Sequence, residues 1–167
     1  MADKPRIGFL LGSKSDLPQL DGAEKFLKEI GVPYEVRIIS AHRTPARAHE
    51  YAVTAKGRGI EVIVGMAGMA AHLAGVLAAS AEVPVLGVPA SGGPLQGFDA
   101  LLSTVQMPPG IPVATLGIGK AGATNAAIFA CKILACSDEG LHQQLNQFRA
   151  AMKAKIEQAD EETRGTR

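Results

Sequence analysis

Tryptophan is absent from this chain of 167 residues, and aromatic residues make up only 4% of it. Flavin sites usually stack an aromatic side chain on the flavin ring, so the scarcity of aromatics disfavours a flavin-binding function. An excess of one charge is lacking too, since 17 Lys and Arg residues face 16 Asp and Glu residues for a formal net charge of +1. This balance gives no reason to expect nucleic acid or an acidic membrane surface as a partner.

Cysteines are scarce, and long apolar runs are missing. The two cysteines, Cys131 and Cys136, fall in one predicted helix at a spacing that suits neither a metal site nor a redox pair, so we expect buried free thiols. Gly, Pro, His or charged residues interrupt the apolar runs, and no transmembrane helix is predicted. Residues 1–5 are polar and the apolar stretch Ile7–Leu11 is too short for a secretory signal, so we expect a cytoplasmic protein.

The chain does contain the pattern of an α/β domain. Apolar residues make up 47% of it and charged residues 20%, which is typical of a compact globular protein. Short apolar runs alternate with segments of helical periodicity about every 25 residues, which favours a parallel sheet with helices on both faces. We expect a flavodoxin-like three-layer sandwich whose five-stranded sheet has the order 2-1-3-4-5. The predicted strands are Arg6–Gly12, Tyr34–Ser40, Glu61–Met66, Val83–Val88 and Pro112–Ile118.

The predicted helices follow these strands: Asp16–Ile30, Pro45–Lys56, Ala70–Ala81, Phe98–Val105 and Ala121–Ala135. We expect a single domain, 1–167, with its core over residues 6–136 and a charged C-terminal extension helix over about 138–162. The helices at 70–81 and 121–135 are apolar on nearly all sides, so each needs cover on more than one face. A second subunit is expected to supply that cover, and the charged C-terminal helix is the alternative.

Three loops at the carboxyl ends of the first three strands carry polar groups. In the first, Gly12-Ser13-Lys14-Ser15-Asp16, free backbone N–H groups at a helix start attract anions, and Ser13 adds a hydroxyl. Asp16 suits ribose hydroxyls, but it is equally a good helix N-cap. Because these strand ends are neighbours in the order 2-1-3, we expect the loops to converge on one crevice.

The second loop is Ser40-Ala41-His42-Arg43-Thr44-Pro45, and it follows the second strand. A histidine there can exchange a proton near neutral pH, and an arginine can hold a phosphate or a carboxylate. His42 and Arg43 therefore predict an acid-base group beside an anion anchor.

The third loop, Gly65-Met66-Ala67-Gly68-Met69-Ala70-Ala71-His72, contains glycines that permit close backbone approach to a ligand. His72 lies near the start of the next helix, where a second catalytic role competes with capping or interface packing. His49 and His142 fall on predicted exposed helix faces and are expected to be surface residues. Together the three loops fit a phosphorylated sugar derivative that undergoes proton transfer.

These motifs also resemble one known family, the class I, bacterial-type N5-carboxyaminoimidazole ribonucleotide mutases of purine biosynthesis. The resemblance covers Ile7 to about Ala135. Its motifs are GSKSD at 12–16, SAHRTP at 40–45, AAHL at 70–73, PVLGVP at 84–89, LLSTVQMPPGIPVATLGIGKAG at 101–122 and NAA at 125–127. It implies a homo-octamer with a small ribonucleotide substrate, no cofactor and no metal. It also implies functional coupling to the ATP-dependent carboxyaminoimidazole ribonucleotide synthetase.

The resemblance implies a set of substrate-binding residues. Ser13 and Arg43 would hold the phosphate, and Asp16 the ribose. Ser40 and the backbone of residues 68–70 would surround the carboxylate or carbon dioxide. The whole set is Ser13, Asp16, Ser40, Arg43, Gly68, Met69 and Ala70.

Two catalytic residues are implied in the same way. His42 would give a proton to N5 as the carboxylate leaves and would then take the C4 proton after the carboxylate has rejoined the ring at C4. An imidazole with an ordinary pKa of about 6.5 suits both steps. His72 would be a secondary catalytic residue.

The chain departs from the family pattern at the third loop. The family usually reads GGAAHLPG where residues 68–75 read GMAAHLAG, so Met69 stands in place of a glycine and Ala74 in place of a proline. Met69 is expected to narrow the pocket or to alter the loop. The run Ser91-Gly92-Gly93-Pro94 is also less polar and richer in glycine than is common there.

Four other functions are alternatives to this one. The nearest rival is the related carboxylase that fixes free carbon dioxide onto aminoimidazole ribonucleotide, whose bacterial form resembles SAHKT and AGRSN where this chain has SAHRT and AGMAAH. A phospho-receiver module on the same fold needs an acceptor aspartate at the end of the third strand, where Gly65 and Met66 stand. A flavin-binding module and a purely structural oligomer are the remaining alternatives.

Overall fold

A computed structural model of the chain describes residues 4–164. Its strands are β1 at Ile7–Leu11, β2 at Tyr34–Ile38, β3 at Val62–Ala67, β4 at Val85–Pro89 and β5 at Ala114–Thr115. They form one parallel sheet in the order β2-β1-β3-β4-β5, so the predicted topology is confirmed. The fifth strand is shorter than predicted, because only Leu86 and Gly87 of β4 have partners in it.

Helices separate the strands along the chain and continue after the last strand. The α-helices of the described residues are α1 at Asp21–Ile30, α2 at Pro45–Thr54, α3 at Leu73–Ala78, α4 at Phe98–Val105, α5 at Gly119–Leu134 and α6 at Glu139–Arg164. Two short 3₁₀ helices, Lys14–Gln19 and Lys56–Arg58, precede α1 and follow α2. The prediction for α4 agrees with the structure at both ends.

The three central strands form the middle of the core. Every residue of β1 and β4 is buried, and so is every residue of β3 except the last. Strands covered on both faces read as continuous apolar runs, which is why the sequence predicted them well. The edge strand β2 is half-buried to exposed, and it carries charged residues between its apolar ones.

Gly65 in β3 determines the position of His72, one of the two predicted catalytic residues. A Cβ at Gly65 would lie only 3.0 Å from the Cα of Ala74, so glycine allows α3 to lie close against the sheet. Gly65 is paired with Gly87 of β4, which keeps this part of the sheet free of side chains. His72, the residue before α3, is thereby brought to the carboxyl end of β3.

The first predicted helix, Asp16–Ile30, is wrong over residues 16–20. The segment Lys14–Gln19 is a 3₁₀ helix that contains Pro18, and α1 begins only at Asp21. Proline lacks the N–H group that an α-helix interior requires, so the two turns remain separate. The end of α1 at Gly31, with φ 76°, is the predicted one.

The third predicted helix also begins later than expected. The Ala71 N–H donates to the Met69 carbonyl at 2.8 Å, and the His72 N–H donates to the Ala70 carbonyl at 2.8 Å. These bonds span only two residues, so the chain turns more tightly than an α-helix permits. Residues 70–72 are therefore loop, and α3 begins at Leu73.

The contacts within the chain divide it into two compact units, Met1–Ala130 and Cys131–Arg167. The first unit contains the whole sheet and α1–α4, and the second contains α6. Cys131 is buried as expected, but Cys136 is exposed, so that part of the thiol prediction is wrong. Among residues 4–164 we find no helix with the length and apolarity that a membrane crossing requires.

Candidate active site

A cavity of about 690 Å³ lies at the carboxyl ends of β1, β2, β3 and β4, within the first unit. Loops that follow the first four strands line it. Every residue predicted for the site is among the lining residues, which include Ser13, Asp16, Ser40, His42, Arg43, Gly68, Met69, Ala70 and His72. The predicted convergence of three loops is thus present, and the loop after β4 joins them with Ser91, Gly92 and Gly93.

The first loop is held by its own serines. Ser13 is the N-cap of the 3₁₀ helix, and its hydroxyl accepts from the Ser15 N–H at 3.3 Å and from the Ser15 hydroxyl at 2.8 Å. Asp16 is therefore not the cap, and the capping interpretation of that residue is wrong. Its side chain is free to face the cavity that it lines.

Asp16 is a buried carboxyl group in this loop. It is only 8% exposed, and burial raises the pKa of its carboxyl group above the ordinary value of 3.8. Hydrogen bonds from the Ser13 backbone and the Ser15 hydroxyl oppose that rise only in part. No Lys or Arg of the described residues forms an ion pair with it, so a ligand with hydroxyl donors would find an acceptor whose capacity is not used up.

The second loop is closed by Thr44 and connected to the first by Arg43. The Thr44 hydroxyl donates to the Ser40 carbonyl at 2.9 Å and accepts from the Ser40 N–H at 3.1 Å. The Ser40 hydroxyl accepts from the Arg43 N–H at 3.2 Å. The Arg43 guanidinium donates through Nη2 to the Gly12 carbonyl at 3.3 Å, and this hydrogen bond connects the second loop to the first. Its remaining donors suit a phosphate or carboxylate.

The two predicted catalytic histidines contact each other. Nε2 of His42 lies 2.8 Å from Nδ1 of His72, and the rings meet edge to face with centroids 4.9 Å apart. One ring must donate and the other accept, so this bond holds a single proton between them. The His72 side chain makes no capping hydrogen bond to α3, which excludes the capping interpretation.

The third loop presents backbone and one large side chain. Met69 has φ 54°, in the left-handed region that favours glycine, and its side chain is 63% exposed. Ala70 is exposed beside it and Gly68 is half-buried. Short side chains on either side of Met69 leave the peptide groups accessible from the cavity.

Gln19 and Ser91 form a polar pair in the site that was not predicted from the sequence. The Gln19 amide donates to the Ser91 carbonyl at 3.1 Å, and its oxygen accepts from the N–H and the hydroxyl of Ser91, both at 2.9 Å. This clamp ties the loop after β4 to the 3₁₀ helix after β1. Pro18 was the available signal, since a proline there argues against the helix in which Gln19 was placed.

The remaining histidines lie outside the cavity. His49 and His142 are both exposed, as predicted, and Nδ1 of His49 lies 3.0 Å from the Ser80 hydroxyl. Within residues 4–164, no three His, Cys, Asp or Glu side chains are arranged to hold a metal ion.

A family model described as AIR carboxylase matches residues 6–155 of the chain. The chain belongs to the AIR carboxylase family. The matched residues include the sheet, the four loops and every predicted site residue. Relatives named N5-carboxyaminoimidazole ribonucleotide mutase, about half identical to this chain, confirm the resemblance inferred from the motifs.

Relatives in the AIR carboxylase family are similar over most of their length. The N5-carboxyaminoimidazole ribonucleotide mutase of Pyrococcus abyssi is 54% identical over 149 residues, which are 89% of this chain and 84% of that protein. The protein of the same name from Escherichia coli K12 is 48% identical over 151 residues, 90% of this chain and 89% of that one. The crystal structure of Treponema denticola PurE superposes with a TM-score of 0.82 at 24% identity, covering 95% and 98% of the two chains, and it supports the fold alone.

Proposed function

We propose that this protein is an isomerase of purine biosynthesis that moves the carboxylate of N5-carboxyaminoimidazole ribonucleotide from N5 to C4 of the ring. The product is 4-carboxy-5-aminoimidazole ribonucleotide. The observation that carries the proposal is the hydrogen-bonded pair of His42 and His72 in a cavity that also holds Arg43 and Asp16. Mutases at 48% and 54% identity support the choice of reaction.

The substrate is held at its two polar ends. Arg43 has guanidinium donors beyond the one used on Gly12, and with Ser13 it binds the phosphate. The buried Asp16 accepts hydrogen bonds from the ribose hydroxyls. The loops after β1 and β2 thus bind the phosphate and the ribose. With those groups bound there, the aminoimidazole ring of the substrate lies next to His42, His72 and the third loop.

The reaction then needs one proton moved out and back. The bond between N5 and the carboxylate carbon breaks, its electron pair stays on N5, and N5 takes a proton from His42 as carbon dioxide leaves. C4 attacks carbon dioxide, and His42 takes the proton that C4 loses when the ring becomes aromatic again. One proton is given and one is returned, so the isomerisation balances without an oxidant or reductant.

His72 keeps His42 ready for both steps. At 2.8 Å from Nε2 of His42, its Nδ1 is the nearest partner for the proton that His42 holds. An orienting partner of this kind selects the tautomer and the angle of the ring. Ser40 and the backbone of residues 68–70, which line the same cavity, surround the released carbon dioxide.

The direct test is to supply N5-carboxyaminoimidazole ribonucleotide without ATP and to follow formation of 4-carboxy-5-aminoimidazole ribonucleotide. Rapid conversion is expected. A parallel assay with aminoimidazole ribonucleotide and low bicarbonate is expected to give little product. Efficient carboxylation in the second assay, with none in the first, would assign the protein to the carboxylase reaction instead.

We also propose that the subunits assemble into a homo-octamer. The loop before α4 and one face of that helix expose large apolar side chains: Leu95 at 59%, Phe98 at 59%, Leu102 at 49% and Val105 at 48%. The last three recur at helical spacing, and a contiguous apolar face of this kind marks a contact surface. Light scattering should give about eight times the subunit mass of 17.3 kDa, and Leu102→Lys should lower it.

The substrate is a carbamate, so an enzyme that carboxylates an amine must supply it. We propose functional coupling to the ATP-dependent carboxyaminoimidazole ribonucleotide synthetase, with both reactions in the cytoplasm. Coupling would appear as a higher product yield when both enzymes are present together. The comparison is a reaction in which the synthetase first accumulates the substrate and this protein is added afterwards.

A further inference from the structure

Met69 combines features that the substrate-binding roles above do not use. It lines the cavity, it is 63% exposed, and its backbone adopts φ 54°. A large apolar side chain is uncommon both at the open rim of a polar cavity and in left-handed backbone. Strained backbone of this kind clusters at functional sites, so an observed outlier is a reason to ask what the side chain does.

The backbone of Met69 is held in this conformation by its neighbours. Its carbonyl accepts from the Ala71 N–H at 2.8 Å, and just before it the Ala67 carbonyl accepts from the Ala90 N–H at 2.8 Å. The loop therefore enters and leaves Met69 at fixed points. A glycine would satisfy the same geometry without strain, so the side chain itself is what methionine adds at this position.

The side chain of Met69 reaches toward the opposite loop. A Cβ built on Gly93 would lie 3.5 Å from Cγ of Met69, so the two residues are neighbours across the cavity rim. The near end of the Gly93 loop is fixed, because Gln19 forms hydrogen bonds with Ser91. Met69 and the glycines after Ser91 thus bound the gap between the loops after β3 and β4.

We propose that Met69 is the barrier that closes this gap over the bound substrate and retains carbon dioxide between its release from N5 and its capture by C4. The inference rests on the proposed function. Carbon dioxide is small, neutral and apolar, so the charged groups that hold the phosphate and ribose cannot retain it. An unbranched, flexible thioether can swing aside for a nucleotide and then fill an irregular opening. Gly92 and Gly93 on the opposite loop have no side chains, so they leave space for the Met69 side chain to pack across the gap.

The test measures whether released carbon dioxide exchanges with solution. The octamer or native assembly is given unlabelled N5-carboxyaminoimidazole ribonucleotide in ¹³C-bicarbonate, with carbonic anhydrase to equilibrate bulk carbon dioxide. Mass spectrometry of the product carboxylate during the first turnovers reports the label. Wild-type product is expected to keep its original carbon, whereas Met69→Gly product should carry at least about five times more label and be accompanied by free aminoimidazole ribonucleotide.

Two further variants complete the design. Met69→Leu keeps an apolar side chain of similar size, so its product should retain the original carbon. Met152→Ala removes a methionine of α6 that is 53% exposed, and its product should also retain the original carbon. Thermal melting and binding of aminoimidazole ribonucleotide show whether Met69→Gly is folded with an intact site. If it is not, Met69→Ala replaces it.

The outcomes separate the two proposals. If the wild-type enzyme does not convert the substrate, the proposed function fails. If it converts the substrate and folded Met69→Gly incorporates no more label than wild type, the barrier role of Met69 is overturned and the proposed function stands. A rise in label in Met69→Leu equal to that in Met69→Gly would also overturn the barrier role.

Discussion

Two carboxyl groups of this protein, Asp16 and Glu35, have opposite electrostatic environments. Asp16 lines the cavity after β1, is 8% exposed and has a pKa above the ordinary 3.8 because burial opposes its ionisation. Glu35 lies on the edge strand β2, where burial also opposes ionisation, yet its pKa is below the ordinary 4.5. The difference lies in the partners that each group has.

Glu35 is surrounded by donors and cations. Its Oε1 accepts from the Tyr51 hydroxyl at 2.7 Å and from Nη1 of Arg58 at 2.7 Å, and Arg37 lies 3.8 Å from its other oxygen. The Arg58 guanidinium also stacks over the Tyr51 ring, 4.3 Å from the centroid. Burial, followed by the hydrogen bond to Glu35, raises the pKa of the Tyr51 phenol. Tyr51 thus donates to Glu35 while remaining protonated.

Within residues 4–164, no cation forms an ion pair with Asp16. The hydrogen bonds that favour its ionised form come from Ser13 and Ser15. The cluster around Glu35 satisfies its carboxylate within the protein, whereas the cavity leaves the Asp16 carboxylate to be satisfied by a ligand. Polar residues of the first kind stabilise the fold, and those of the second kind indicate a binding site.

The largest expected effect is a loss of kcat when His42 is replaced, compared with no loss of kcat when Glu35 is replaced. His42→Asn should lower kcat about a thousandfold, because a positioned acid-base group contributes roughly 10²–10⁴ in rate. Binding of aminoimidazole ribonucleotide should change little, since Arg43 and Asp16 remain. Steady-state kinetics and calorimetry measure the two effects, with Glu35→Gln as the control that keeps wild-type kcat. Turnover near the wild-type level would remove His42 from the mechanism.

Asp16→Asn should raise KM about tenfold to a hundredfold, because hydrogen bonds from ribose to a charged acceptor each contribute about 1.5–3 kcal/mol. The same substitution removes a buried charge without a cation, so the melting temperature should stay the same or rise. Kinetics and thermal melting on one preparation check both signs. A clear fall in melting temperature would mean that Asp16 stabilises the fold and that the contrast with Glu35 is wrong.

Glu35→Gln should lower the free energy of unfolding by about 1–2 kcal/mol, since it leaves Arg58 and Tyr51 without their charged acceptor. Solvent screening limits the effect, because the Glu35 and Arg58 side chains are 22% and 35% exposed. Urea denaturation measures it, and KM should not change. Arg37→Gln is the matched control, and the stability it loses should stay below about 0.5 kcal/mol, because Arg37 is exposed and lies 3.8 Å from Glu35. Equal losses in both variants would contradict the special role of Glu35.

The smallest effect is the pH dependence of these stability changes. The lowered pKa of Glu35 makes its contribution fully present above pH 4.5 and lost as the pH falls through the folded-state pKa. The raised pKa of Asp16 works in the opposite sense, because its cost is present above the folded-state pKa and disappears below 3.8. Denaturation of both variants from pH 7 to pH 3 should therefore show two differences of opposite sign that shrink toward acid. Differences that grow toward acid would contradict both assignments.

The central strands and their loops were predictable from local pattern. Runs such as Ile7–Leu11 and Val85–Pro89 are apolar throughout because both faces of the sheet are covered, and the polar loops follow where such strands end. The 3₁₀ helix at Lys14–Gln19 was missed because Leu17 and Leu20 continue the helical period of α1, although Pro18 separates the two helices. The short β5 was overestimated for a related reason, since apolar composition does not reveal how many residues find a partner.

The sequence by itself determined the order of strands and helices, the chemistry available in each loop and the family to which the chain belongs. The tertiary structure alone decided which of those groups are partners. The pairing of His42 with His72, the clamp of Gln19 on Ser91 and the bond from Tyr51 to Glu35 join residues that are distant in the chain. Local propensity acts over a few residues, whereas these bonds depend on how helices and strands pack. Packing therefore made Glu35 part of the scaffold and left Asp16 for a ligand.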